Sequence, residues 1–180
     1  MRRSTFNCHV FLSLSLLIFS SLTFASDVIS PKNTVMHFYH ALLNDDSRSY
    51  SKLVNKYVSD ELLRSINDSS LCNYDSDGAA SVAEIEKLCS QKHECKEDKR
   101  SYICDWYGIW VESDVNYFTK SQDVYPSWET NIKTSLLMQT GQESIVNVTL
   151  GDGTEPINTL RVALKKVDNR WKIIRVTESE

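Results

Sequence analysis

The apolar positions of this chain follow a helical spacing in its first part and a strand-like alternation in its last third. Between residues 30 and 67 they recur every three or four positions, which is the spacing of one helix face. The clearest members are Val35, Phe38, Leu42, Leu53, Val54, Tyr57, Leu62, Leu63 and Ile66. Ser30 before Pro31 marks a helix start, because proline fits the first helical turn. With Ser59 as a further cap, we predict three helices here.

The alternation of the last zone, residues 130 to 176, predicts an antiparallel sheet. The alternating sets are Ser144, Val146, Val148 and Leu150, then Leu160, Val162 and Leu164, then Trp171, Ile173 and Arg175 against Ile174 and Val176. A tight hairpin is predicted at 167–170. Helices followed by hairpin-linked strands indicate an α+β fold, with N-terminal helices packed on one face of a curved antiparallel sheet.

The middle zone, residues 67 to 127, has no clear period and is predicted to be irregular apart from one helix. The segment from Ser81 to Glu84 is a capping box, a signature of a helix N-terminus. The helix continues through Ile85 and Leu88. We therefore expect an insert of loops and one helix between the helical and strand-rich zones.

The first 25 residues predict a secretory leader. Arg2 and Arg3 precede an apolar run from 11 to 24, and small residues stand at the −3 and −1 positions of a cleavage site after Ala25. The run is too short for a membrane span. We expect an exported domain of 155 residues, Ser26–Glu180, without a later membrane span.

Charge excludes one class of partner. Leader removal leaves 18 basic against 24 acidic residues, a net charge of −6. Because binding to nucleic acid requires a basic surface that neutralises phosphates, no nucleic-acid partner is expected.

Leader removal also makes the cysteine count even. Cys8 leaves with the leader, and the four that stay are Cys72, Cys89, Cys95 and Cys104. In an exported protein such a set predicts two disulfides, and the spacing lacks the Cys-x-x-Cys pair of zinc sites. Of the three pairings, a nested one is favoured, with Cys89–Cys95 inside Cys72–Cys104. These bridges would fasten an insert at about residues 68–105.

Residues 73–84 fit the twelve-residue calcium-loop template. Its ligand positions hold Asn73, Asp75, Asp77 and Glu84, with Gly78 at the turn. Ca²⁺ is the one cofactor that the sequence indicates. Two features argue against calcium binding: position 1 of the template is not Asp, and residues 68–72 do not resemble the helix that precedes such a loop. The alternative is a polar turn into a capped helix, with Glu84 bonded to Ser81.

Half of the 14 aromatic residues that remain after the leader lie between 106 and 128. This density indicates either a recognition surface or core packing. The candidate ligand- or partner-binding residues are Trp106, Trp110, Tyr117, Gln122, Asp123 and Trp128. Asp123 could orient a ligand or bond the backbone of a turn. The sequence has no nucleophile elbow and no His-Glu-x-x-His motif, so a non-enzymatic protein is predicted.

Several short motifs resemble those of a bacterial family. They are Val35-x-x-Phe38-Tyr39-x-x-Leu42-Leu43, the run Tyr57–Leu63, Asp114-x-x-Tyr117-Phe118-x-x-x-Gln122-Asp123, Trp128, Leu160-x-Val162-x-Leu164 and Trp171-Lys172-Ile173-x-x-Val176. Over residues 33 to 177 the chain resembles the domain of unknown function 3828 family, of the nuclear-transport-factor-2-like superfamily. The resemblance implies a cone-like fold in a Gram-negative periplasm, and it carries over no catalytic residues.

The resemblance also orders the functional hypotheses. Several exported proteins of this kind neutralise peptidoglycan-degrading toxins, which implies a non-enzymatic inhibitor or immunity protein with a toxin as its protein partner. A small-ligand binding protein using the pocket of the cone is the first alternative. An enzyme with Asp123 as general base is the second.

Overall fold

The computed structural model describes residues 29–44, 49–73, 81–98 and 101–179. The helices are α1 Pro31–Asn44, α2 Tyr50–Tyr57, α3 Asp60–Asn73, α4 Val82–Cys89 and α5 Pro126–Thr130. The strands are β1 Cys95–Asp98, β2 Ser101–Trp106, β3 Ile109–Glu112, β4 Ile132–Gln139, β5 Glu143–Leu150, β6 Asn158–Val167 and β7 Arg170–Glu178. This confirms the α+β class, with the main helices N-terminal to two antiparallel sheets. The predicted leader lies outside the described residues. No helix in the described ranges is long and apolar enough to cross a membrane.

Side-chain caps fix the helix starts, as the sequence indicates. The Ser30 hydroxyl accepts from the Asn33 amide at 3.2 Å, and the Ser59 hydroxyl accepts from the Leu62 amide at 3.2 Å. The expectation that residues 68–72 are not helical is wrong, because α3 continues to Asn73. Tertiary contacts extend it: Ser69 is buried, and the Asp68 carboxylate accepts a hydrogen bond from the Tyr107 hydroxyl at 2.8 Å.

The middle zone is more regular than predicted, because β1, β2 and β3 form a three-stranded antiparallel sheet. The nested disulfide pairing is wrong. Cys95 and Cys104 are direct partners across β1 and β2, with Cα atoms 4.1 Å apart, and they bond to each other. The second bridge joins the ends of α3 and α4 through Cys72 and Cys89, whose Cα atoms lie 5.4 Å apart. Strand register, which sequence spacing does not reveal, decides the pairing.

The large sheet has the strand order β4-β5-β6-β7, and its inner face forms the core with the helices. Fully buried inner residues are Val146, Val148, Leu150, Leu160, Val162, Leu164 and Ile173. The predicted hairpin between β6 and β7 is confirmed. Asp168 and Asn169 have φ of 47° and 60°, and two positive values match the twist of the flanking strands.

A β-bulge interrupts the last strand. Ala163 pairs with Arg175 and Leu164 with Ile173, so Ile174 has no partner position across the strands. Ile173 and Val176 are therefore both buried, while Arg175 faces outward. The predicted grouping of Arg175 with Trp171 and Ile173 on one face is wrong, because simple alternation fails at a bulge.

Candidate functional site

The candidate ligand- or partner-binding residues lie in different parts of the molecule. Trp106, Tyr117 and Trp128 are 3%, 5% and 2% exposed and belong to the core. Trp110 is exposed on the small sheet, with the Lys96 ammonium 4.8 Å from its ring centroid. Gln122 and Asp123 are exposed in the loop before α5. These residues do not come together as one surface.

Tyr117 belongs to a loop that hydrogen bonds hold in place. The side-chain carbonyl oxygen of Asn116 accepts hydrogen bonds from the amides of Phe118 and Thr119 at 2.9 and 3.2 Å. The buried Tyr39 hydroxyl donates to the Phe118 carbonyl at 2.7 Å. Burial raises the pKa of Tyr39, so its hydroxyl stays protonated as a donor. The loop therefore has a packing role that aromatic density alone does not distinguish from recognition.

At the calcium-like segment, the described residues make the contacts of a helix cap. The Glu84 carboxylate accepts from the Ser81 amide and hydroxyl at 3.0 and 2.7 Å, and these bonds lower its pKa. The Asn73 amide donates to the Ser69 hydroxyl at 3.2 Å. Asp75 and Asp77 lie outside the described residues. Within the described part, no three His, Cys, Asp or Glu side chains cluster as a metal site. Calcium binding stays a prediction.

The outer face of the large sheet carries a concentration of positive charge. Cross-strand partners share a face, and the register places six cations on this one: Lys133, Arg161, Lys165, Arg170, Lys172 and Arg175. We call them the basic sheet face. Glu143, opposite Lys165, is the acidic residue that the described strands β4–β7 place on the same side. The whole chain has a net charge of −4, so its positive charge is segregated.

Like charges meet on this face. Lys165 and Lys172 are direct cross-strand partners, an arrangement that destabilises a sheet. Partial burial, followed by the charge of Arg170, lowers the pKa of Lys172, while Asp60 acts in the opposite direction. The Lys172 ammonium donates to the Asn55 carbonyl at 2.7 Å. The sheet therefore places two lysines opposite each other, and one of them is held by a hydrogen bond to α2.

A groove of about 540 Å³ lies at one corner of the basic sheet face, beneath the β2–β3 turn. It is lined by Ser59, Glu61, Tyr107, Gly108, Ile109, Ala163, Lys165, Val167, Ile174 and Arg175. The turn depends on positive φ values of 57° at Tyr107 and 83° at Gly108. The Arg175 guanidinium donates to the Gly108 carbonyl at 3.3 Å, which joins the turn to the sheet.

The Tyr107 side chain forms a wall of this groove and is held from the α3 side. Its hydroxyl donates to the Asp68 carboxylate, and the Arg64 guanidinium lies 4.3 Å from the ring centroid. The bond to Asp68 raises the pKa of Tyr107. The groove thus has a fixed aromatic wall, an apolar floor at Ala163 and Ile174, and a cationic rim.

Sequence reasoning missed the basic sheet face, although part of its signal is readable. Arg161 lies between the buried Leu160 and Val162, and Lys165 follows the buried Leu164, so alternation alone places both outward. Arg175 gives no such signal because the bulge changes its side. The groove depends on the distant β2–β3 turn, which no local pattern predicts.

Comparisons with known proteins show a shared fold. No protein-family model matches the chain, and no curated protein matches it. Among solved structures, it is similar to a chain of the type VI native effector–immunity complex Tae3–Tai3 from Ralstonia pickettii, with a TM-score of 0.54 and 20% identity over 84% of this chain and 97% of that chain. The selenomethionine form of that complex gives 0.52 and 21% over the same shares.

Proposed function

We propose that this protein is an exported, non-enzymatic immunity protein that binds and inhibits a cell-wall-degrading toxin in the periplasm. The fold likeness carries the proposal. It extends over 97% of a chain taken from an effector–immunity complex, and so includes nearly all of that chain. At 20% identity the likeness concerns the fold, and the partner is inferred from the complex to which that chain belongs.

The chemistry of this chain favours the immunity role over the effector role. Cys72, Cys89, Cys95 and Cys104 are bonded in pairs, so none of these four sulfurs can serve as a thiolate nucleophile. Asp123, the candidate general base, is exposed on a loop instead of lining the groove. The two disulfides indicate an oxidising, exported environment. The resemblance to the domain of unknown function 3828 family supports a periplasmic location.

The test is protection from lysis. The full chain, with residues 1–25, is co-expressed in a sensitive bacterium with each type VI cell-wall hydrolase of the source genome directed to the periplasm. We expect one hydrolase whose lysis is prevented, and equimolar inhibition of its peptidoglycan cleavage by the purified protein. Expression without residues 1–25 is the control and should not protect. Undiminished lysis by every hydrolase, with the protein accumulating in the periplasm, would contradict the proposal.

The groove favours small-ligand binding as a second candidate function. Its volume lies within the range of ligand sites, and a cationic rim over an apolar floor suits an anionic cell-wall fragment. Muropeptides that raise the melting temperature of the wild type, and not of an Arg175→Gln variant, would support this candidate. No shift at millimolar muropeptide would exclude it.

A further inference from the structure

We propose that the basic sheet face and its groove form the docking surface for an acidic segment of a protein partner, with a carboxylate held between Lys165 and Arg175. The inference rests on the proposed function only for the partner's identity. The surface itself is argued from the charges, contacts and shape of the described residues.

Charge segregation gives the first argument. Six cations share one sheet face of a chain whose net charge is −4. The remaining surface is correspondingly more acidic and repels an acidic partner. Such a distribution steers an acidic partner to one side of the molecule and excludes other orientations.

The second argument is that these cations form no close ion pairs with the described part of the chain. Within the described residues, none of the six has a carboxylate within 4 Å, although Arg64 and Asp68 form such a pair on α3. Lys165 and Lys172 face each other at a cost to the sheet. An external anion would relieve that repulsion, which gives the arrangement a physical reason in the complex.

The groove indicates where the partner's carboxylate binds. One Arg175 N–H donates to the Gly108 carbonyl, which orients the guanidinium at the groove that Lys165 also lines. The planar guanidinium keeps further N–H donors, and two of them can form parallel hydrogen bonds with one carboxylate. The floor at Ala163 and Ile174 is apolar, so an apolar residue next to the partner's acidic residue would be buried with it.

Shape and charge favour a carboxylate segment over phosphate polymers or lipid headgroups. Glu61 also lines the groove and repels a doubly charged phosphate more strongly than a single carboxylate. The apolar floor lies at the corner, below a fixed turn, and suits a side chain more than a flat bilayer surface. An acidic protein loop with an apolar neighbour satisfies both features.

The probe is the octapeptide acetyl-Glu-Glu-Leu-Glu-Glu-Leu-Glu-Glu-amide, titrated into ¹⁵N-labelled, disulfide-bonded residues 26–180 at low salt. We expect the largest NMR shift changes in residues 107–109, 163–165 and 174–175. Lys165→Glu/Arg175→Glu should weaken binding at least tenfold. The matched control Lys32→Glu/Lys52→Glu changes two exposed lysines on α1 and α2 by the same charge and should alter the dissociation constant less than twofold.

Three results would overturn the inference: equal weakening by both variant pairs, shift changes centred elsewhere, or displacement of the peptide by equimolar inorganic phosphate, a DNA octamer or vesicles with phosphatidylglycerol. If the charge reversal unfolds the chain, Lys165→Gln/Arg175→Gln replaces it. The lysis assay separates this inference from the proposed function. If the Lys165→Glu/Arg175→Glu variant protects fully, the docking surface is rejected and the proposed function stands. If the wild type binds the peptide but does not protect, the proposed function is rejected and the docking surface stands.

Discussion

At the residue scale, Lys120 places a charged ammonium in a partly buried site. Its ammonium lies 3.7 Å from the centroid of the Tyr117 ring, and its φ of 50° is uncommon for a residue with a side chain. Burial lowers its pKa to about 8, although the carboxylates of Glu112 and Glu178 act in the opposite direction. The free energy of unfolding must therefore depend on pH.

The first prediction is that stability rises between pH 8 and pH 10.5 and that Lys120→Met abolishes the rise. In this window the unfolded chain keeps the Lys120 proton and the folded chain has lost it, so raising the pH favours folding. At pH 7 the shift is worth about 3 kcal/mol. Loss of the cation–π attraction offsets about 1 to 2 kcal/mol of that. Urea denaturation of Lys120→Met at pH 7 should therefore show a net gain of about 1 to 2 kcal/mol.

Other groups titrate in the same window, so the matched control is Lys52→Met on the exposed face of α2. That variant should keep the wild-type slope of stability against pH. A Lys120→Met slope equal to that of the wild type would show that the amine is charged in the folded protein throughout the window.

A second prediction concerns Glu84, whose pKa is lowered first by the Ser81 hydroxyl and then by the Ser81 amide. A lowered carboxyl pKa stabilises the helix above the ordinary value of 4.5, and this stabilisation is lost as pH falls through the folded pKa. Glu84→Gln should keep the capping box and remove this pH dependence, while Glu84→Ala should remove both. Hydrogen exchange of the α4 amides between pH 3 and 6 measures the difference.

The same variants test calcium. A saturable heat on titrating calcium into the wild type, abolished by Glu84→Gln, would support the calcium loop. Absence of heat at millimolar calcium would leave Glu84 with the capping role alone.

At the element scale, α4 depends on a covalent link more than on packing. Within its described residues none is buried, and Leu88 is the partly buried side chain that packs against the core. The Cys72–Cys89 disulfide joins its last residue to the penultimate residue of α3. The small sheet has a different support, since Trp106 and Val111 are buried and the Ser65 hydroxyl donates to the Trp106 carbonyl at 2.9 Å.

We therefore predict that Cys72→Ser/Cys89→Ser releases α4 and leaves both sheets folded. The bridge closes a loop with a sequence separation of 17, for which chain entropy gives about 3 kcal/mol. Hydrogen exchange should become fast in α4 and stay slow in β5 and β6. The control is Cys95→Ser/Cys104→Ser, which should loosen β1 and β2 instead. Loss of protection in β5 and β6 with the first variant would show that the insert supports the large sheet.

At the scale of the whole molecule, sequence patterns predict what local rules determine. The caps at Ser30, Ser59 and Ser81 and the turn at Asp168 follow from residue type, because each satisfies a backbone group or a backbone conformation nearby. The core face of β5 and β6 follows from alternation. Contacts between distant segments determine the rest: the register that pairs Cys95 with Cys104, the length of α3, and the meeting of the β2–β3 turn with Arg175.

The candidate surface divides in the same way. The outward positions of Arg161 and Lys165 follow from the alternation of β6, and a search for charge on the polar side of predicted strands would have found them. The aromatic stretch left recognition and core packing open, and the structure places Trp106, Tyr117 and Trp128 in the core, because burial depends on the whole fold.

The unpaired residue at Ile174 has a consequence for tracing related sequences. It shifts the alternation of the strand by one position, so every side chain after it lies on the opposite face from the one that strict alternation predicts. A relative lacking that one residue would place the counterpart of Arg175 directly after that of Ile173, so regular alternation alone would keep it on the outer face. A relative that keeps the residue but lacks the bulge would instead turn the counterpart of Arg175 inward, so an apolar residue at that position without a deletion would mark a strand that has lost the bulge and the outward arginine.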